Sequence, residues 1–163
     1  MNNVILSLLV ENHFGVLTRI TNLFSQRGFN IDSLAVGETE NPGYSRVTIA
    51  THGDENIINQ IRLQLDKLED VKIVSLIPDE QQFIREVALI KLAPGKEPLE
   101  ALDGVLEDFG GRKQIIEDDC CIIEVTATPA TINFFVEELR EYHIKEVCRT
   151  GGAALALSQE TVY

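Results

Sequence analysis

The chain has 163 residues, 44% hydrophobic and 25% charged, a balance that suits a globular protein of one domain or two small ones. Its 26 acidic residues against 14 basic ones leave a net charge of -12. That argues against nucleic acid as the main partner, because phosphate binding needs a basic face. No segment approaches the ~20 apolar residues of a membrane span, and MNNVILSLLVEN has no basic region ahead of its apolar run, so no signal peptide is expected.

Residues 4–10, VILSLLV, form a nearly continuous apolar run of strand length, as a central strand would. Residues 16–27 place Val16, Ile20, Leu23 and Phe24 at helical spacing, and Gly28 offers a left-handed stop. A second strand is expected over 31–37 and a third over SRVTIATH, with Pro42 and Gly43 suited to the turn between them. Residues 55–68 repeat the helical spacing through Ile57, Ile58, Ile61, Leu65 and Leu68, and VKIVSLI (71–77) reads as a fourth strand. The order is βαββαβ, the split unit of ferredoxin-like folds.

Residues 78–84 open with a polar break, Pro78 to Gln82, read here as a linker. The pattern then repeats. REVALIKL (85–92) is a strand, and Leu99, Leu102, Val105, Leu106 and Phe109 line a helix that ends at Gly110-Gly111. Residues 112–117 and 120–127 flank Asp118-Asp119 as a hairpin, 132–139 line a further helix, and IKEVCR makes the last strand. The expected fold class is therefore α+β, with two ferredoxin-like βαββαβ domains at 1–77 and 85–163. Units of about 80 residues are marginal alone, and such a sheet leaves one face and an edge uncovered, so docking or dimerisation is expected.

Little in the sequence suggests other chemistry. Cys120, Cys121 and Cys148 form neither a disulfide framework nor a paired metal motif, and are read as reduced residues of a cytoplasmic protein. His13, His52 and His143 fall on different elements with no metal-ligand spacing. There is no P-loop, nucleophile elbow or dinucleotide fingerprint.

The join between the first strand and helix, Glu11-Asn12-His13-Phe14-Gly15, puts an amide and a glycine where the helix must begin, and Asn30 sits just beyond its stop. Three pieces stand in order: ENxxGxLxRI, then LFSQRGFNIDSL, then SRVTI. With REVALIKL and KEVCRTGGAALAL further on, the chain resembles the regulatory (small) subunits of acetolactate synthase along nearly its whole length, the first half being an ACT domain. The resemblance implies a non-catalytic subunit of branched-chain amino-acid synthesis, without cofactors of its own. Its catalytic large subunit carries thiamine diphosphate, FAD and magnesium. It further implies a homodimer that activates that partner and confers feedback inhibition by valine bound between two ACT domains, with leucine or isoleucine as other possible effectors.

The resemblance places effector recognition on Asn12, the backbone of His13, Phe14 and Gly15, and on Asn30 reaching from across a dimer interface. The residue types suit an amino acid: backbone N–H groups at a helix start for the carboxylate, amides for either charged end. Leu17, Leu34 and Val36 are the expected apolar wall. Read without the resemblance, the same residues have structural roles, with Asn12 capping the helix, Gly15 easing a turn and Asn30 left-handed after Gly28. The alternative function is a stand-alone tandem-ACT sensor with another target. Against it, the second half has APGKEPLEAL where a repeated effector loop would need NxxG. A small hydrolase on the same scaffold would want an arginine in the first loop, which has none.

Overall fold

A computed structural model describes residues 2–93, 101–117 and 120–157. They group into two units: residues up to Phe83 together with those from Gly152 on, and Ile84–Gly151. The sequence reading had instead assigned everything after 84 to the second.

In the first unit the elements run β1 (Asn2–Glu11), α1 (Val16–Arg27), β2 (Ser33–Glu38), β3 (Tyr44–Gly53), α2 (Glu55–Leu65) and β4 (Val71–Ile77). The sheet is antiparallel in the order β2-β3-β1-β4, so β1 is central and β2 and β4 are edges. Leu6, Leu8 and Val10 of β1 join Val47 and Ile49 of β3 in the core, under Val16, Ile20 and Phe24 of α1 and Ile58, Ile61 and Leu65 of α2. Ile5, Ser7 and Leu9, which point the other way, are buried as well. Burial on both faces is why residues 4–10 are apolar but for Ser7 instead of alternating. Each fully buried aliphatic or aromatic side chain here contributes about 1.5–3 kcal/mol.

The helix stops follow local chemistry. Gly28 takes φ 69° at the end of α1, its N–H donating back to the Ser25 carbonyl oxygen. At the start of α2, Asp54 accepts from the Ile57 N–H at 2.9 Å. A 3-10 turn, Asp79–Gln81, and the first residues of β5 (Gln82–Leu92) occupy the stretch expected as a linker. The tail forms a short strand, β9 (Ala153–Ala156), and the Leu157 N–H donates to the Gln81 carbonyl oxygen at 2.7 Å.

The second unit repeats the order with β5, α3 (Ala101–Phe109), β6 (Arg112–Glu117), β7 (Cys120–Ala127), α4 (Pro129–Glu138) and β8 (Ile144–Arg149). Its strand order, β6-β7-β5-β8, matches that of the first sheet. Ala88, Ile90, Leu92, Ile123 and Val125 meet Leu102, Leu106, Ile132 and Phe135 in a separate core. The buried Glu86 receives Arg149 in a two-pronged pair at 2.9 and 2.7 Å, and Arg149 also donates to Asn133 Oδ1 at 2.7 Å, tying β5, β8 and α4 together. Two expectations, the hairpin tip at Asp118-Asp119 and most of APGKEPLEAL, lie outside the described residues. Cys121 is buried and Cys148 exposed, and neither forms a disulfide among the described residues.

Candidate functional site

At the end of β1 the chain turns through residues 12–15 into α1. The Asn12 N–H donates to the Gly43 carbonyl oxygen at 2.8 Å and its side-chain Nδ2 to the Pro42 carbonyl oxygen at 3.0 Å. Asn12 therefore staples this loop to the turn between β2 and β3, and it does not cap α1. One N–H of its side-chain amide is thereby engaged.

Gly15 stands at the N-cap position with φ 92° and ψ −14°, in the left-handed region. A Cβ there would meet nothing within 4 Å, so the backbone conformation, not crowding, demands glycine, and the space above it is open. No side chain caps α1, and its first turn holds no acidic residue. The positive end of the helix dipole and its first N–H groups are thus available to an anion.

An ion-pair network braces the same loop. His13 Nδ1 lies 3.1 Å from the Phe14 carbonyl oxygen, and its Nε2 lies 3.1 Å from both Glu11 Oε2 and Asp70 Oδ1. Lys72 Nζ holds Glu11 Oε1 at 2.7 Å, and Arg19 holds the nearly buried Asp70. The Phe14 carbonyl, followed by the two carboxylates, raises the His13 pKa. Lys72 lowers that of Glu11, and is raised in return, while Arg19 lowers that of Asp70. The Glu11, His13 and Asp70 ligand atoms lie within 4.8 Å of one another, but each carboxylate already carries a cation, so the group acts as a brace between β1, α1 and β4. Sequence spacing missed it, because Asp70 and Lys72 are remote in the chain.

Of the expected apolar wall, Leu17 is 40% exposed and Val36 49% exposed, whereas Leu34 packs against the core. Phe14, given only a backbone role by the sequence reading, is fully exposed at the loop tip. Asn30 is exposed, and it is not left-handed: among the described non-glycine residues only His143 has a positive φ. Its Nδ2 donates to Asp32 Oδ1 at 2.5 Å.

The structure does not bring the two halves of the expected site together within one chain. Asn12 and Gly15 precede α1 and Asn30 follows it, and 12 helical residues at ~1.5 Å each separate the ends by roughly 18 Å. A single amino acid is far too short to touch both. The groove lined by Val4, Gly53, Glu55, Ile58, Asn59 and Leu76 contains none of these residues.

Comparison with known proteins agrees with both halves of the chain. Residues 6–72 match the AHAS small subunit-like ACT domain, and residues 85–158 match the small subunit of acetolactate synthase. The chain is 38% identical to the probable acetolactate synthase small subunit of Methanothermobacter thermautotrophicus, covering 97% of this chain and 95% of that protein. It is 39% identical to the acetolactate synthase small subunit of Bacillus subtilis, over 93% of this chain and 89% of the other. The crystal structure of the Thermotoga maritima acetolactate synthase small subunit superposes with a TM-score of 0.87 at 36% identity, over 96% of this chain and 98% of that one. This chain belongs to the family of acetolactate synthase small subunits, and its first unit is an ACT domain of that family.

Proposed function

We propose that this regulatory subunit binds a branched-chain amino acid, valine in the first instance, between the ACT domains of a homodimer. In this reading it activates the large catalytic subunit of acetolactate synthase in the cytoplasm and transmits feedback inhibition to it. Thiamine diphosphate, FAD and magnesium belong to the catalytic partner, and this chain contributes no catalytic group.

The observation that carries the reading is α1 itself. Its N-terminus is uncapped and open above Gly15, while Asn30 waits at its far end. A two-fold pairing that sets two copies of α1 antiparallel brings the N-terminus of one beside the C-terminal end of the other. One effector then reaches Asn12 and the 13–15 backbone of one copy and Asn30 of its partner. The edge strand β2, which Asn30 leads into, is the natural seam, with Val36 and Leu17 as apolar surface for the effector side chain. Inhibition follows by linkage: an effector that binds one arrangement of the dimer more tightly shifts the catalytic subunit with it, and the coupling is reciprocal for binding.

The test is acetolactate formation by the same organism's catalytic subunit, with and without this chain, across a valine titration. Activation that valine reverses is the expected result. Activation indifferent to valine, leucine and isoleucine would remove the effector half of the reading. No activation at any ratio would favour a stand-alone sensor with a different target.

A further inference from the structure

Asn30 is held in one orientation by a relay. Its Nδ2 donates to Asp32 Oδ1 at 2.5 Å, and the other oxygen of Asp32, Oδ2, meets His52 Nδ1 at 2.7 Å. The backbone is fixed as well. Thr51 Oγ1 donates to the Asn30 carbonyl oxygen at 2.6 Å, and the Asp32 N–H donates to the Ala50 carbonyl oxygen at 2.9 Å. These contacts anchor the chain between α1 and β2 to the end of β3.

An ionised carboxylate only accepts hydrogen bonds, so the end of the amide that faces Asp32 is the NH2 group. Asn30 is exposed, and with one of its amide N–H groups given to Asp32, its side-chain oxygen is the acceptor that remains for a ligand. It accepts from an N–H donor and repels a carboxylate. The negative charge of Asp32 works in the same direction, attracting a cation and opposing an anion.

We propose that Asp32, steadied by His52, is a positioning residue that turns the Asn30 side-chain oxygen outward to receive the ammonium group of the effector. The inference rests on the effector reading above and gives the ligand a polarity, ammonium toward Asn30 and carboxylate toward the N-terminus of α1 in the second copy. Recognition of the ammonium is what separates an amino acid from the simple branched acid of the same shape.

The test is calorimetric titration of the full chain with L-valine and with isovalerate, which is valine without its amino group. Asp32→Ala is expected to weaken valine binding by about tenfold, the scale of one misplaced hydrogen bond to a charged group, while leaving isovalerate binding unchanged. Asp32→Asn keeps an oxygen that accepts from Asn30 Nδ2, and should stay within about threefold of the unaltered chain. All three proteins should melt alike, since the pair is exposed. Valine binding by Asp32→Ala equal to that of the unaltered chain would overturn the inference alone, as would an Asn variant as weak as the Ala variant. Equal loss of valine and isovalerate would do the same. An unaltered chain that binds neither valine, leucine nor isoleucine would instead bring down the effector reading, and this inference with it.

Discussion

The two helices of the ACT unit bury similar faces and begin in opposite ways. α1 sets Val16, Ile20 and Phe24 into the core, and α2 sets Ile58, Ile61 and Leu65 into the same core. α2 starts on Asp54, whose carboxylate takes the Ile57 N–H, and carries Glu55 in its first turn. α1 starts on a left-handed glycine, with no capping side chain and no acid in its first turn. Both helices answer the same demand for burial, so burial does not explain the difference. One helix start has an N–H group served by a side chain of the same chain, while the other has no side-chain cap for its first N–H groups.

The largest losses are expected at the faces that the two helices share. Phe24→Ala should cost about 3–5 kcal/mol and Ile61→Ala about 2–5 kcal/mol, read as urea midpoints, because both side chains are fully buried. A cost below about 1 kcal/mol for Phe24→Ala would mean that α1 is not anchored as α2 is. Next comes Gly15→Ala, expected to cost about 1–2 kcal/mol through its left-handed φ alone, since no neighbour would clash with the new methyl group. Asp54→Ala should cost about 1 kcal/mol of thermal stability, a loss with no counterpart at α1 because there is no cap there to remove.

The smallest effect is the most diagnostic. Thr18→Asp places an exposed carboxylate in the first turn of α1, imitating α2. It should raise stability by about 0.3–1 kcal/mol through the helix dipole while weakening valine binding several-fold. A variant that is stabilised yet binds valine as before would separate the helix end from effector recognition.

Much of this architecture was legible in the sequence. The spans of α1 and β4 coincide with the observed ones, and β1 and β5 extend the expected strands by only a few residues. Apolar periodicity reports which face of an element is buried, and it did so here for both units. What it does not report is register. Asp70 reaches His13 and Arg19, and His52 reaches Asp32, only because strand pairing and loop closure bring distant residues side by side. Asn12 is the instructive case: its amide looked like a helix cap, yet it serves the Pro42 carbonyl oxygen 30 residues away. The short strand at 153–156 lies in AALALSQETVY, which carries no clear pattern of its own, and IKEVCR reads as the last strand.

The central place of β1 has a consequence for how the chain is made. It leaves the ribosome ahead of both its partners, β3 and β4. At about 5–20 residues per second, the roughly 60 residues between Glu11 and Val71 take several seconds to arrive. Through that interval VILSLLV has at least one open edge, no charge and strong β-propensity, the features of a segment that seeds aggregates. The strand at the centre of this finished sheet is therefore the one that waits longest, open to misassembly, in the newborn chain.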